Sequence, residues 1–496
     1  MDDWMFLYRY RLSNGGSDEF VFSSWINFIV NNSKIDNGRL ANLFAPIFAM
    51  ENLGFRHIFP LLAGLSVASM VPFMFSFAGI KKHRAAYTCV AFALIVGFLP
   101  WREGLYMIDY ALNYVFATAV TCFTFWLILR LDSKGWTYLN FTLCLIVVLL
   151  AAGWHEEFAL SVSGGMGLWA LLHPRKTCIQ WWIITIIYFG IACLFLYTPG
   201  MIQRASEQTS GLYQMRLVQF VYSVPQIFTL VFVLISVLSK KGRSRLASCF
   251  GERPFFICFA AMVASFAVPY VISFSPKMMY WPIVLSLICL FRMLRPWTDH
   301  IFSYRWVRIV LYACFAVIVV QFSTVIYWQR KIYYNMEELY GKFKTYQSVF
   351  HNLIDRTDIP WWTLKFNERN MMYDTNNYFW LGAYKYGCQK LLYVIPCGME
   401  RVTVENSEYI GGELDMYISQ QGELWSRRKL EPYNATVKYV FADGSEYAYI
   451  PLYGRFISNE GDTLTYISTP YGKPRVVSVE YDKGSGLQNR VKRGGM

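Results

Sequence analysis

Apolar residues occur in long blocks along the first two thirds of the chain, and short polar loops separate the blocks. Blocks of this length predict a transmembrane helical domain over residues 57–328. We expect ten spans, near residues 57–80, 85–101, 106–130, 137–152, 158–172, 177–198, 216–239, 254–274, 278–294 and 305–328. Two of them, 137–152 and 158–172, are shorter than the ~20 residues that a perpendicular helix needs. They flank Trp154-His155-Glu156-Glu157, so one helical hairpin that turns back at this motif is an alternative.

The segments outside the spans predict the rest of the domain organisation. Residues 1–56 form an outer loop, in which the apolar stretch 40–50 lies along the membrane surface as an interfacial helix. Residues 329–398 are expected to be a helical connector, and residues 485–496 a disordered tail. Alternating apolar positions separated by turns predict a β-rich extracytoplasmic domain over 399–484. The predicted fold class is an α-helical polytopic membrane protein of about ten transmembrane helices, with a small C-terminal β-rich soluble domain.

The loops between the spans alternate in chemistry, and this alternation predicts the orientation of the chain. One set carries Lys and Arg, as in Lys81-Lys82-His83-Arg84 and Lys240-Lys241-Gly242-Arg243. Basic loops mark the cytoplasmic side of a polytopic membrane protein. The interleaved loops, which include Trp101-Arg102-Glu103-Gly104 and Trp154-His155-Glu156-Glu157, must then face outward. The candidate reactive groups therefore share one face of the membrane.

Composition supports the membrane interpretation and removes one class of partner. Hydrophobic residues make up 55% of the 496 residues, and the mean hydropathy is +0.29. Soluble domains rarely have such values. The net charge of +13 is concentrated in the inner loops, where it sets orientation and contacts anionic lipid. We therefore expect membrane lipids as partners and no nucleic acid.

The cysteines predict at most one disulfide. The chain has eleven Cys and no CxxC motif, and most of the cysteines lie in apolar spans as small core residues. Cys388 and Cys397 lie instead in the polar tail, on the oxidising outer face. A disulfide between these two is one prediction, and two free thiols are the alternative.

Acidic residues supply candidate catalytic groups in two outer segments. Asp2 and Asp3 stand beside Trp4, and adjacent carboxylates at a membrane surface can act as a general base and a cation ligand. A solvated terminus is the alternative.

His155 and Glu156 lie between strongly apolar helices, where ionisable groups usually face an interior cavity. The alternative is a polar loop at the membrane interface. No second His follows at the HExxH spacing, but Glu156 with Asp2 could hold a divalent cation such as Mg²⁺ or Mn²⁺.

Four cations lie at outer ends of spans or in outer loops, against the general bias of Lys and Arg toward the cytoplasmic side. They are Arg39, Arg102, Arg204 and Lys277. A phosphate group gives a reason for such cations, because a guanidinium binds it through paired hydrogen bonds. The alternative for any single one is snorkelling to the interface or an ion pair with a neighbouring carboxylate.

With these motifs in this order, the chain resembles the GT-C class of membrane glycosyltransferases, specifically a bacterial glucosyltransferase-like polytopic family. The resemblance covers roughly residues 1–330. The matching elements are Asp2-Asp3-Trp4, Asn37-Gly38-Arg39, Asn113-Tyr114, His155-Glu156, and Pro199-Gly200 followed by Arg204. Each motif is short, and their order and shared sidedness carry the match.

The resemblance implies transfer of a sugar from a polyprenyl-phosphate donor to an acceptor outside a bacterial inner membrane. The acceptor would be a cell-surface glycan, a lipid or a protein. The resemblance also implies that an acidic residue in the first outer loop is catalytic, and this role falls on Asp3, with Asp2 as second choice. His155 and Glu156 in the later loop are the other candidate catalytic residues. Contact with the sugar or the acceptor is implied for Trp4, Asn113 and Tyr114.

The sequence departs from the family pattern in two places. The helix expected to precede the first outer loop does not precede Asp2, which predicts a missing upstream span. The Pro199-Gly200 element is followed by Met201 where the pattern has Asn, so this match is partial.

A polytopic transporter or lipid flippase is the alternative function. It would place ionisable residues or broken helices near the middle of the bilayer. In this sequence the charged residues cluster at one interface and the centres of the spans are mostly apolar, which favours an enzyme.

Overall fold

The computed structural model describes residues 9–17, 19–35, 39–50, 53, 55–99, 108–199, 202, 221–271, 276–343, 348–351, 393–411, 415–428, 435–449, 453–467 and 475–483. The chain divides into two compact units, Met1–Ser323 and Thr324–Met496. The predicted disordered tail, 485–496, lies outside the described residues.

Helices dominate the first unit, as the long apolar blocks predict. The helices of the described ranges are α1 (Phe22–Ile35), α2 (Leu40–Ala49), α3 (Phe55–Ala78), α4 (Arg84–Phe98), α5 (Ile108–Lys134), α6 (Tyr138–Trp154), α7 (Glu156–Leu172), α8 (Ile179–Leu196), α9 (Val224–Leu238), α10 (Lys240–Phe250), α11 (Arg253–Val271), α12 (Tyr280–Ser303) and α13 (Arg305–Phe343). Within α5, residues Ala111–Phe116 form a π-helical turn.

Six helices of the described part are long and apolar enough to cross a membrane, and seven if the bent pair α10 and α11 forms one span. The predicted count of ten is not confirmed. Two of the predicted spans, α4 and α6, are apolar helices of only 15 and 17 residues. The pair α10 and α11 is bent by 97°. Gly251 directly after α10 and Pro254 in the first turn of α11 mark the break between the two helices.

The apolar surface of the first unit is distributed as a lipid-facing exterior requires. In α12, 83% of the most apolar 18-residue stretch is buried. In α13, only 6% of the corresponding stretch within Arg305–Trp328 is buried. Leu234, Val317 and Val320 are each about two thirds exposed. Soluble monomers rarely expose so much contiguous apolar surface. Several helices could therefore span a membrane, with α12 central and α13 peripheral.

The two classes of loop lie at opposite ends of α5. Near its last turn, Asp132 accepts a hydrogen bond from Arg253, which also donates to the Lys176 carbonyl at 2.9 Å. Near its first turn, the Lys277 ammonium lies 3.8 Å from the centre of the Tyr110 ring. The 22 residues between Tyr110 and Asp132 correspond to about 33 Å of helix, comparable to the apolar thickness of a bilayer. This separation fits the predicted alternation.

The basic end is held together by further contacts between α3, α11 and α12. Arg292 forms a two-point ion pair with Glu252, and Arg295 donates to the Gly79 carbonyl at 2.7 Å. These contacts join basic loops that are far apart in sequence, so that they form one surface.

The second unit contains the described strands. They are β1 (Ser348–Phe350), β2 (Tyr393–Ile395), β3 (Ser407–Gly411), β4 (Met416–Ser419), β5 (Leu424–Ser426), β6 (Ala435–Phe441), β7 (Glu446–Tyr449), β8 (Tyr453–Ile457), β9 (Thr463–Ile467) and β10 (Val476–Lys483). Strands β1 and β2 pair in parallel. The others form two antiparallel sheets, ordered β3-β4-β5-β9-β8 and β10-β6-β7.

Alternation along the strands gives the five-stranded sheet two buried faces. Leu424 faces the three-stranded sheet and packs with Val437 and Tyr439. The next residue, Trp425, faces the other way and packs with Ile395 of β2. A period of two places successive side chains on opposite faces, and this pattern confirms the predicted small β-rich region at the C-terminus.

Two strands also lie inside residues 329–398, which the sequence predicts as a helical connector. This prediction is wrong for β1 and β2, and helix extends only to Phe343 in the described part of that range. Each of the two strands has three residues, too few for a period of two to be read from the sequence.

The separation of the loop classes predicts the outcome of cysteine labelling. Ser133 lies at the basic end of α5. Ser17 precedes α1, and the same segment contains Tyr10, which packs in one cluster with Leu112 near the other end of α5. Both serines are exposed. With the predicted orientation, Ser17→Cys should react with an impermeant maleimide on intact cells, and Ser133→Cys only after the membrane is opened.

The parent chain with Cys314→Ser gives the background, since Cys314 is exposed. Labelling of both positions from one side would contradict the placement of the two loop classes at opposite faces. If Ser133→Cys reacts on intact cells and Ser17→Cys reacts only after the membrane is opened, the two loop classes still lie at opposite faces, but the predicted orientation is reversed.

Candidate functional site

A buried ion pair joins two of the motifs that the sequence singles out. Arg39 immediately precedes α2, and Glu156 is the first residue of α7. The Arg39 Nε donates to Glu156 Oε2 at 2.7 Å, and Nη2 donates to Glu156 Oε1. The side chain of Arg39 is 16% exposed and that of Glu156 is 4% exposed. A two-point pair of this kind fixes the relative orientation of both groups.

A third motif, Asn113-Tyr114, completes the cluster. The Asn113 Oδ1 accepts from Arg39 Nη1 at 3.4 Å. Its Nδ2 donates to Asp109 Oδ1 at 2.7 Å and to Asn42 Oδ1. Asn42, Asp109 and Asn113 are all buried. Buried polar groups need such partners, because each unpaired one costs about 1–3 kcal/mol. The result is a continuous polar network from α2 through α5 to α7.

The chain reaches this geometry through a break and a wide turn. His155 is extended, with φ −152° and ψ 112°, and separates α6 from α7. The Trp154 indole donates to the Leu112 carbonyl at 2.7 Å and stacks on Phe44 of α2, with ring centres 5.7 Å apart. Leu112 belongs to the π-helical turn, a feature that occurs frequently at functional sites.

His155 lies beside the ion pair with its polar atoms enclosed. Its ring stacks on Phe158, with centres 4.2 Å apart, and lies 5.4 Å from the ring of Tyr114. Both ring nitrogens, and Oε1 of Glu157, are buried without a hydrogen-bond partner among the described residues. Native structures contain few such groups. A bound hydroxyl or phosphate group would supply the hydrogen-bond partners that these buried atoms lack.

The two adjacent glutamates, which lie at the helix break and outside the six candidate spans, differ in charge. Burial alone would raise the pKa of Glu156, but the Arg39 guanidinium outweighs it and lowers that pKa to about 2. Burial dominates at Glu157 and raises its pKa to about 8. At neutral pH Glu156 is therefore an anion, while Glu157 holds its proton.

Lys277, which follows α11 in the chain, contacts the same short stretch of α5 that carries the polar network. Its ammonium is 3.8 Å from the Tyr110 ring, and the rings of Tyr110 and Tyr114 are 6.5 Å apart. Two of the four cations predicted to bind phosphate, Arg39 and Lys277, thus flank residues 110–114. Arg39 forms an ion pair with Glu156, and an ion pair with a carboxylate is the alternative to phosphate binding for a single outer cation.

Several predicted site residues lie outside the described ranges, and their roles stay predictions. They are Asp2, Asp3, Trp4, Arg102, Arg204 and Cys388. Cys397 is described in the turn that follows β2. The disulfide with Cys388 therefore stays a prediction.

The predicted divalent cation also stays a prediction. In the described part of the chain, no group of three or more His, Cys, Asp or Glu side chains is placed to hold a metal ion. Glu156, the described member of the predicted pair with Asp2, binds a guanidinium instead.

The sequence interpretation missed two members of the network, Asn42 and Asp109. Each carries a signal. Asp109 is the only acidic residue of the predicted span 106–130, and it precedes Asn113 by four residues, which places both on one helix face. Asn42 is the only polar residue of the apolar stretch 40–50.

A comparison of the chain with protein-family models, with curated proteins and with solved structures finds no match in any of the three. The resemblance to membrane glycosyltransferases therefore stays a prediction from the sequence motifs.

The burial of the ion pair predicts a large cost for removing one partner. Arg39→Ala would leave the Glu156 carboxylate enclosed without a counter-charge, and such changes cost about 3–5 kcal/mol. We expect a clear fall in the melting temperature of the purified protein in detergent. The double variant Arg39→Ala/Glu156→Gln, which removes the charge of both partners, should recover part of the loss. A cost below about 1 kcal/mol for Arg39→Ala, as for a surface pair, would contradict the burial of this pair.

Proposed function

We propose that this protein is a membrane glycosyltransferase that moves a sugar from a polyprenyl-phosphate donor to an extracytoplasmic acceptor. The observation that carries the proposal is the meeting of Arg39, Asn113 and the His155-Glu156 motif in one buried cluster. These motifs are 74 and 117 residues apart along the chain. The sequence singles them out for the same chemistry, and their proximity supports the proposal.

The cations of the cluster suit the leaving group. When the bond between the anomeric carbon and the phosphate oxygen breaks, negative charge develops on the lipid phosphate. Arg39 and Lys277, beside residues 110–114, would stabilise this charge, so the leaving group needs no general acid. The half-buried ring of Tyr110, next to Lys277, would be the aromatic contact for the sugar, because Tyr114 is buried.

The acceptor hydroxyl needs a base, because a neutral sugar hydroxyl is a poor nucleophile. In its pair with Arg39, Glu156 has a pKa of about 2 and is a weak proton acceptor. The proposal therefore keeps Asp3 as the base, in the predicted first outer loop. The Asn113 amide and the neutral His155 ring would bind hydroxyls of the sugar or of the acceptor.

The proposal predicts that Arg39→Lys lowers sugar transfer more than it lowers stability. Lysine keeps a positive charge for Glu156 but loses the planar fork that binds a phosphate at two points. A charged hydrogen bond is worth ~1.5–3 kcal/mol, so kcat/KM for the donor should fall about 10- to 150-fold. Transfer is measured in membranes from a polyprenyl-phosphate sugar pool, with matched expression.

The matched control is Arg292→Lys. Arg292 forms an equivalent two-point pair with Glu252 at the basic end of the helical unit, away from the proposed site. Transfer by this variant should stay near that of the parent. Equal losses in both variants would mean that the assay responds to stability alone.

The base is tested by Asp3→Asn, which keeps the shape of the side chain but accepts no proton. Loss of a positioned base typically costs ~10²–10⁴-fold in rate, while donor binding should survive because the phosphate contacts lie on other residues. If Asp3→Asn transfers sugar normally and His155→Ala or Glu156→Gln does not, the base lies in the later loop. If all three retain full sugar transfer, the base is none of these residues and the site assignment fails. If the parent chain itself transfers no sugar, the transferase proposal fails and transport becomes the better explanation.

A further inference from the structure

One segment at the basic end is a complete helix that carries cations and no acidic residue. Helix α10 contains Lys240, Lys241, Arg243 and Arg245 in eleven residues. It meets α11 at 97°, so α10 lies roughly along the membrane surface if α11 crosses the membrane. A basic helix in this position is typical of contact with anionic lipid headgroups.

Specific contacts hold α10 against its neighbours. The Arg245 guanidinium lies 3.9 Å from the ring centre of Trp297 in α12. The Gly242 amide donates to Ser239 Oγ at 2.9 Å, and a Cβ atom at Gly242 would collide with the Ser236 carbonyl oxygen of α9. The first turn of α10 is therefore packed directly on the last turn of α9.

The exposed cations of α10 have no internal counter-charge. Lys240, Lys241 and Arg243 are exposed, and within the described part of the chain none of these three side chains forms an ion pair or a hydrogen bond. Arg253 and Arg292, at the same end of the helical unit, are each paired with a carboxylate. Three unpaired cations within four residues attract an external anion.

An apolar stripe on α9 lies next to these cations. Phe228, Val231, Ile235 and Leu238 recur at helical spacing, and all four are exposed, Leu238 by 83%. The stripe ends two residues before Lys240. A lipid whose tail lies along the stripe would therefore bring its phosphate to the first turn of α10.

The basic loop Lys81–Arg84 has similar charge but lacks this apolar surface. It contains three Lys or Arg residues, and all three are exposed. The residues that lead into it from α3 include Phe77, Ala78 and Ile80, and each of these is at most 3% exposed. The end of α3 therefore offers a lipid tail no comparable stripe. This difference separates a lipid site from general attraction between basic loops and an anionic membrane.

We propose that α9 and α10 form a binding site for one anionic phospholipid. Its phosphate contacts Lys240, Lys241 and Arg243, and an acyl chain lies along the stripe from Phe228 to Leu238. The proposal does not depend on the reaction proposed for the opposite end of the helical unit, so either can fail without the other.

Native mass spectrometry of the purified full chain, titrated with palmitoyl-oleoyl phosphatidylglycerol or phosphatidylcholine, gives the dissociation constant of the first bound lipid. The two lipids have the same tails, so their ratio isolates the headgroup. A cation near an anionic headgroup is worth about fivefold in affinity, so the parent should prefer phosphatidylglycerol at least about tenfold. The triple variant Lys240→Gln/Lys241→Gln/Arg243→Gln should lose this preference and still bind phosphatidylcholine.

The matched control is the triple variant Lys81→Gln/Lys82→Gln/Arg84→Gln. It removes the same charge from an exposed basic loop that lacks the apolar stripe, and it should keep most of the preference. Equal losses in the two triple variants would show general attraction to a basic surface and overturn the site. Equal binding of the two lipids by the parent would overturn it as well.

The apolar part of the site is tested separately. Leu238→Ser should weaken both lipids alike, because the stripe contacts the tail, and unchanged binding would overturn the placement of the tail. Glycerophosphoglycerol is the headgroup without tails, so its displacement of the lipid at equal concentration would mean a phosphate site instead of a lipid site. If the α10 triple variant does not fold, Arg243→Gln replaces it. A loss of about fivefold is then expected, and no loss overturns the proposal.

Discussion

The organisation of the first unit depends on one constraint, which is that a charge enclosed by apolar helices must be paired and hydrogen-bonded. The Arg39–Glu156 pair meets this constraint with the residue before α2 and the first residue of α7, and Asn113 of α5 accepts a hydrogen bond from a further N–H of Arg39. Three segments that are far apart along the chain are thereby held in one arrangement. Asn42 and Asp109 follow from the same requirement, because the Asn113 amide must itself be satisfied.

A buried ion pair such as Arg39–Glu156 adds little net free energy to folding, so stability alone does not explain its presence. Well-packed apolar residues of similar volume are often as stabilising as a buried ion pair, because desolvation offsets the attraction. The pair at the basic end differs in this respect, since its Glu252 is 43% exposed and keeps much of its hydration. A largely buried pair beside a histidine whose ring nitrogens have no partner among the described residues is consistent with the proposed ligand site.

The sequence predicts the helical character, the β-rich C-terminal region and the cluster motifs, because each leaves a local pattern. Span-length apolar blocks and a period of two are visible in any stretch of adequate length. The partner of Arg39 is not visible, since a guanidinium suits a phosphate and a carboxylate equally well. The pairing of β1 with β2 depends on contacts between distant segments, and three-residue strands leave no period to read.

The position of the cluster along α5 separates the two candidate functions. Asn113 and Asp132 are 19 positions apart, which corresponds to about 28 Å of helix, close to the ~30 Å thickness of the apolar core. If the Asp132 end is at one interface, the cluster is at the other. A transporter is expected to bind its substrate near the midplane, where either side can reach it in turn. A site at one interface is open to one compartment and to the headgroup layer, where a lipid phosphate resides. That location suits a reaction between a lipid-linked donor and a water-soluble or surface-bound acceptor.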